Sequence, residues 1–325
     1  MRTPEFWRAG HTLLPTLLSP AAAIYDMAGR ARRALVRPVR SGVPVVCIGN
    51  LVAGGGGKTP AALAVGARLQ ARGQIVHFLT RGHGGSLPGP VRVDLQRHTA
   101  REVGDEALLL AARVPTWVSR NRPRGAEAAV AGGAGAIVMD DGFQNPSLHK
   151  DLSLVAVDAG FGIGNGHVIP AGPLREVPGR ALQRAAAVIY VADPAGARIA
   201  PPQTLANVPV LAAHLEPAPS AHGLTGAAVV AFAGIARPGK FFASLRALGC
   251  DLRAAHVFAD HHRYREHEIM ALVEEAAHDG AKLVTTEKDH VRLPTEARAM
   301  TETLPVTLEF EDDGALDRLL DRLPA

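Results

Sequence analysis

The segment GNLVAGGGGKTP, Gly49 to Pro60, sets four consecutive glycines, Gly54, Gly55, Gly56 and Gly57, in front of a Lys-Thr pair. A glycine loop between a strand and a helix points successive backbone N–H groups at one spot, and the helix N-terminus adds its positive dipole end. Together these make a phosphate cradle. In that frame Lys58 reaches the β/γ-phosphates and the Thr59 hydroxyl ligates Mg²⁺. The P-loop pattern places a glycine five residues before Gly57, and Val52 stands there instead. A flexible linker is the alternative, although linkers seldom end in GKT at the head of an amphipathic helix. AIVMDDGFQN then reads as an apolar strand stopping at Asp140 and Asp141. This delivers carboxylates to the C-terminal edge of a sheet, the position of a Walker-B aspartate that holds Mg²⁺ directly or through water.

Two further clusters carry titratable groups. In VGDEALLLAARV, Asp105 precedes a helical run. It can be an ordinary N-cap, or a carboxylate that accepts a hydroxyl proton with Glu106 assisting a metal. FADHHRYREHE gathers His261, His262 and His267 with Asp260 at no good tetrahedral spacing, so solvated polar loop competes there with a histidine that orients a carboxylate. Arginines recur beside Gly and Pro at Arg81, Arg120, Arg122, Arg124, Arg175 and Arg180. Such loops suit bidentate phosphate recognition or simply solubilise the surface.

Elements must exist to hold these groups. PVVCIGNL, IVHFLT, AIVMDD, LSLVAVDA and AAAVIYVAD read as near-continuous apolar strands. TPAALAVGARLQARG, DEALLLAARV and RGAEAAVAGG between them read as helices. That alternation predicts a parallel sheet covered on both faces, a P-loop NTPase-like three-layer α/β/α unit over residues 41–215. A Pro-rich stretch from Pro194 to Pro219, with a candidate strand at Val208 to His214, marks a boundary. A smaller α/β unit over 216–325 then has strands at AAVVAFAG and AKLVTTEKD and helices at KFFASLRALG, HEIMALVEEAAHDG and ALDRLLDRL.

The 325 residues, 47% hydrophobic, exclude a disordered or fibrous chain, and that length suggests two domains. Two cysteines at no ligand spacing exclude a disulfide framework or structural zinc. The net charge of +4 is concentrated before residue 41, where seven arginines face only Glu5 and Asp26, so no nucleic-acid groove is expected. Residues 1–40 also carry Phe6, Trp7, Leu13, Leu14, Leu17, Leu18, Ile24 and Tyr25, broken by Pro15 and Pro20. The stretch is too short and interrupted to span a bilayer and lacks a signal-peptide order. It suits a helical arm on an anionic membrane surface, or one packed on the protein's own core.

GNLVAGGGGKTP, TRGHGG, GDEALLLA, VMDDGFQN, PAGPLRE, GIARPGKFF, FADHH and VTTEKDHVRL, in this order along nearly the whole chain, closely resemble the tetraacyldisaccharide 4'-kinase family, the lipid A 4'-kinases of Gram-negative bacteria. The resemblance implies transfer of the γ-phosphate of ATP, with Mg²⁺, to the 4'-hydroxyl of an acylated glucosamine disaccharide 1-phosphate. It also implies a peripheral enzyme at the cytoplasmic face of the inner membrane, with its site between two α/β/α domains; a monomer is expected. By motif it assigns the P-loop pair to Lys58 and Thr59 and the catalytic aspartate to Asp105, with Glu106 near the metal. The strand-end acids fall on Asp140 and Asp141, the histidine paired with the catalytic aspartate on His261, and the arginine near the transferred phosphate on Arg175. Two positions depart from the family pattern, His83 for Tyr and Asn145 for His. With Asp105 and His261 on opposite sides of a cleft, the reading expects them to meet only when substrate closes it. The competing readings are a P-loop switch or metal-insertion chaperone, and a membrane-surface module with a vestigial nucleotide site.

Overall fold

The computed structural model describes residues 4–8, 13–54, 57–192 and 200–324. After a short 3₁₀ turn at Glu5–Trp7, the chain forms α1 (Leu14–Leu35), β1 (Val45–Asn50) and α2 (Lys58–Ala71). It continues through β2 (Val76–Thr80), β3 (Val91–Arg92), α3 (Ala100–Val103), α4 (Asp105–Ala111), β4 (Thr116–Val118), α5 (Arg122–Ala131) and β5 (Ala136–Asp140). β6 (Leu152–Asp158), α6 (Pro178–Leu182), β7 (Ala187–Ala192) and β8 (Val210–Pro217) complete the run that the apolar pattern predicts.

These strands build a nine-stranded sheet in the order β13-β8-β7-β6-β1-β5-β2-β4-β3, where β13 is Val306–Phe310. Every pairing in it is parallel except at the two edges, β13 with β8 and β3 with β4. β1 and β5 are buried along their whole length, as strands covered on both faces must be. One apolar cluster includes Val46, Ile48, Val65, Leu69 and Phe78 and takes in α2, while another on the opposite face includes Cys47, Met139, Phe143 and Leu174.

A second sheet of four parallel strands follows the order β10-β9-β11-β12. Its elements are β9 (Ala228–Ala233), α7 (Pro238–Ala247), β10 (Asp251–Val257), α8 (Glu266–His278), β11 (Lys282–Thr286), α9 (Glu287–His290), α10 (Thr295–Ala299) and β12 (Glu302–Leu304). The small unit read over 216–325 therefore ends early at the level of sheets. β13 crosses back to pair with β8, and α11 (Asp313–Leu320) packs its Leu316, Leu319 and Leu320 into the cluster that holds α2. Arg68 of α2 chelates Asp317 of α11 at 2.8 and 2.5 Å. The sequence pattern failed here because VTLEF is only five residues long and its alternation does not say which strand it pairs with. β10 is likewise an edge strand of alternating exposure. EKD, read as the end of a strand, instead belongs to the helical turn Glu287–His290, capped by the Thr286 hydroxyl, which accepts from Asp289 N.

Candidate functional site

β1 leads straight into the glycine loop. Gly55 and Gly56 lie outside the described residues, but Gly57 has φ +76°, and a Cβ there would stand 3.2 Å from Val191 Cγ2, so both conformation and space favour glycine. Lys58 opens α2, is 7% exposed, and its Nζ donates to Gly54 O at 3.2 Å while lying 4.0 Å from Asp141 Oδ1. Val52, the departure from the P-loop pattern, has a structural use. It bridges to Leu174, and Ala53 N donates to Pro173 O, so the PAGPLRE segment is strapped to the entrance of the loop.

β5 is the direct neighbour of β1, with Ile48 opposite Asp140, which sets the strand-end acids beside the loop. Thr59 Oγ1 donates to Asp140 Oδ2 at 3.2 Å. Asp140 Oδ1 is buried with no partner among the described residues. Burial, with the charges of Glu106 and Asp141, pushes the Asp140 carboxyl up to about 7 against the pull of Lys58 and the Thr59 hydroxyl. Asp141 takes a left-handed backbone at φ 52°, a conformation costly for a non-glycine residue and concentrated at functional sites. Arg175 grips it in bidentate fashion, Nη1 to Oδ1 at 2.6 Å and Nη2 to Oδ2 at 3.1 Å. Burial alone would raise Asp141, but Lys58 and Arg175 outweigh it and bring the carboxyl down to about 2.

The third carboxylate is held differently. Gly104, at φ +87°, fills the N-cap position of α4, where a Cβ would meet His83 O at 2.5 Å, so the TRGHGG loop packs on this glycine. Asp105 is thus the first helical residue and not the N-cap. Its Oδ1 accepts from Glu106 N at 3.0 Å, and its Oδ2 accepts from His261 Nδ1 at 3.1 Å and from Arg292 Nε at 2.8 Å, with Arg292 Nη2 also in contact. Lys288 Nζ stands 3.3 Å from Glu106 Oε1 and 4.0 Å from Asp105 Oδ2. Burial works to raise the Asp105 carboxyl. The His261 hydrogen bond and the charges of Lys288 and Arg292 overcome it and hold the group well below the usual carboxylate range. The sign follows: a depressed native value stabilises the fold above the ordinary carboxylate range, and that stability is lost as pH falls toward the native value.

Asp105 and His261 are therefore already in contact, contrary to the expectation that only closure would join them. The reason lies in the third partner, which the sequence reading missed. Arg292 also donates through Nη1 to Gly234 O and to Asp289 Oδ1, both at 2.9 Å, and Asp289 accepts from Tyr264 Oη at 2.8 Å. The guanidinium pins Asp105 to the small sheet. His261, at φ 58°, donates its backbone N–H to Gly234 O at 3.0 Å and rests its ring edge-to-face near His83, 6.2 Å between centroids. The available signal was VTTEKDHVRL itself, which sets Lys288 and Arg292 four residues apart. Of the other histidines, His262 pairs with Glu268 at 3.1 Å and His267 is exposed. With the Arg292 side chain 7% exposed between two buried acids, Arg292→Ala leaves Asp105 and Asp289 short of their counter-charge. A loss of about 3–5 kcal/mol in unfolding free energy is expected, read by denaturant titration. A loss within the usual surface range of about 0.5 kcal/mol would show that the pair is not structural.

Lys58, Thr59, Glu106, Asp141, Arg175 and His261 line one cavity of about 410 Å³ between the two sheets. Its walls include Leu63, Leu109, Leu215, Phe241, Leu304 and Val306. Asp158, at the end of β6, accepts from Lys240 Nζ at 2.9 Å and from Arg237, bridging the sheets on another side of the cavity. The residues present fit a hard divalent cation. Thr59, Glu106, Asp140 and Asp141 offer oxygens at the loop, and one of these, Asp140 Oδ1, is buried and without a partner among the described residues. Among the described residues no three His, Cys, Asp or Glu side chains converge as a metal cage, whereas Mg²⁺ bound with nucleotide needs only one or two carboxylates besides phosphate oxygens.

Comparison with known proteins accords with this arrangement. The family model described as Tetraacyldisaccharide-1-P 4'-kinase (LpxK) matches residues 14–324. Tetraacyldisaccharide 4'-kinase of Rhodospirillum rubrum is 52% identical over 326 residues, covering 99% of this chain and 98% of the relative. That of Jannaschia sp. is 51% identical over 327 residues, covering 99% of each. Among solved structures, LpxK from Aquifex aeolicus in complex with ATP superposes with a TM-score of 0.75 at 25% identity, covering 95% of this chain and 99% of that one. The P-loop, the strand-end acids and the aspartate–histidine contact thus sit in a chain that belongs to the tetraacyldisaccharide 4'-kinase family.

Proposed function

We propose that the cavity carries out the family's reaction, phosphorylation of a lipid A precursor at the 4' position using ATP, with the roles that follow. The observation that carries the assignment is the meeting, in one cavity wall, of the P-loop Lys58 and Thr59 with Glu106 and His261, the histidine whose Nδ1 holds the buried Asp105 carboxylate behind it. The phosphates of ATP lie over the glycine loop, Lys58 neutralises their charge, and Arg175 stands beside the transferred group. Thr59, Glu106, Asp140 and Asp141 are the residues that would hold Mg²⁺, which would neutralise charge developing on the transferred phosphoryl group.

Asp105 receives the 4'-hydroxyl. Held far down by its partners, it is a weak base and cannot strip an alcohol early. A loose phosphoryl-transfer transition state does not ask for that, because the hydroxyl proton becomes acidic only once the new P–O bond is forming. Asp105 orients the hydroxyl and takes the late proton, and His261 holds the carboxylate in place. The decisive assay is ATP consumption with and without the acylated disaccharide 1-phosphate in detergent. ADP formation that requires the lipid is expected. Nucleotide turnover indifferent to lipid would turn the reading toward a P-loop switch, and nucleotide binding without turnover toward a vestigial site.

The same reading sets the protein, as a monomer, on the cytoplasmic face of an anionic membrane through α1. Leu13, Leu17, Ile24, Tyr25, Met27 and Leu35 are exposed along that helix, with Arg30, Arg32 and Arg37 near its C-terminal end. Apolar burial and basic charge together favour the headgroup layer, each Arg contributing about 1 kcal/mol at low salt. Among the described residues no helix is long and apolar enough to cross a membrane. Replacing Leu17 and Ile24 by Ser is expected to lower sedimentation with anionic liposomes while leaving the melting temperature unchanged. Undiminished liposome binding by that variant would remove the arm from the membrane contact.

A further inference from the structure

The positions of α1 that are buried or half-buried among the described residues form one narrow stripe. Pro15, Leu18, Ala22, Asp26, Gly29 and Arg33 are its buried or half-buried positions, spaced by three and four residues so that they fall on one helix face. Two members of that stripe are charged, and both reach the short segment 176–180, which begins with the last residue of the PAGPLRE motif. Asp26 accepts from Arg180 at 2.6 Å, and Arg33 lies 3.4 Å from Glu176.

Glu176 is 1% exposed, chelated by Arg184 at 2.8 and 2.7 Å, and its Oε1 also accepts from Gln144 Nε2 at 3.3 Å. That amide donates as well to Asn50 O, at the end of β1, at 2.9 Å. Its own oxygen accepts from Arg175 Nη1 at 3.3 Å, the guanidinium that grips Asp141. A continuous chain of polar contacts thus runs from Arg33 through Glu176, Gln144 and Arg175 to Asp141.

Resting on the proposed reading of the site, we propose that α1 is a positioning element for phosphoryl transfer. Arg33 and Glu176 act through Gln144 to fix the orientation of Arg175 and Asp141, so the seating of the arm and the geometry at the nucleotide are linked. The physical case rests on burial. Glu176 is a nearly inaccessible carboxylate, and removing one of its cations leaves it to recruit the donors that remain, the Gln144 amide among them. Gln144 cannot turn toward Glu176 without disturbing the oxygen it presents to Arg175. Neither Arg33 nor Glu176 touches the cavity, so both are positioning residues. Linkage is reciprocal, and whatever holds α1 in place favours the aligned site to the same degree that the aligned site favours the docked arm.

The test uses the full chain, with acylated disaccharide 1-phosphate in detergent and varied ATP. Arg33→Met is expected to lower kcat by about 2- to 30-fold, the span for residues along a coupling network, with KM for ATP within about twofold of the parent. Arg33→Lys, which keeps the charge, is expected to recover most of the rate. Glu176→Gln is expected to act in the same direction and serves as the second variant should Arg33→Met fold poorly. A double variant with Gln144→Met separates relay from packing. If the contacts act in series, Arg33→Met adds little to the loss caused by Gln144→Met. Multiplying losses, an unchanged kcat in Arg33→Met, or a failure of Arg33→Lys to restore any rate would each overturn the proposal. An unaltered chain that does not phosphorylate the lipid would overturn the reading of the site instead.

Discussion

Asp105→Ala is expected to lower kcat by about 10² to 10⁴, the span of a positioned general base, while the protein remains folded and binds ATP as before. The reaction asks this carboxylate for orientation more than basicity, so Asp105→Asn, which keeps the shape and one acceptor, is expected to retain more rate than Asp105→Ala. His261→Ala should cost less than either, since Arg292 still holds the carboxylate from the other side. Because His261 acts through Asp105, the pair should be non-additive, with the double variant little worse than Asp105→Ala alone. Single-turnover rates with saturating ATP and lipid measure all four proteins. Losses that multiply in the double variant would mean that His261 works on the lipid directly and that the 3.1 Å contact is incidental to turnover.

Lys58→Ala is expected to cost about 10² to 10³ in kcat, the magnitude found for removal of a preorganised charge donor. Thr59→Ala should fall in the same range, with a raised requirement for Mg²⁺. Unfolding should change little in either variant. Among the described residues Lys58 Nζ holds only Gly54 O and a distant Asp141, and losing the Thr59 hydroxyl deprives Asp140 of one donor without opening a cavity in the apolar core. Near-normal lipid phosphorylation by a folded Lys58→Ala protein would exclude the glycine loop as the phosphate site.

Much of the arrangement is readable in the chain because the physics is local. PVVCIGNL and AIVMDD are apolar in every residue until the polar end that does the chemistry, so both the buried strand and the place where it stops show in the letters. Asp105 and His261 could be singled out and paired by the family resemblance, but that they already touch could not be read, because Arg292, 187 positions from the aspartate in the chain, also holds that carboxylate. The local mark of Arg292, its spacing of four residues from Lys288 in VTTEKDHVRL, does not name its partners. Its role arises only when β11 and α9 bring it over Gly234 and Asp289. The return of β13 was hidden likewise, since VTLEF has the polarity of an edge strand, and an edge strand's pairing is decided by the rest of the sheet.

That return makes the four-stranded sheet an insertion, entered from β8 and left through β12, with only Pro305 between Leu304 and Val306. A lobe attached by one linker can turn in any direction, whereas a lobe attached at two points can turn only about the line that joins them. The exit strap is a single proline wide and feeds a strand already zipped to β8, while α11 beyond it is clamped to the P-loop helix by Arg68 and Asp317. Any swing of the small lobe is thereby confined to one axis passing beside Leu304 and Val306, two residues of the cavity wall. Lengthening that one-residue strap with glycines would free the lobe in additional directions without altering a single group in the cavity.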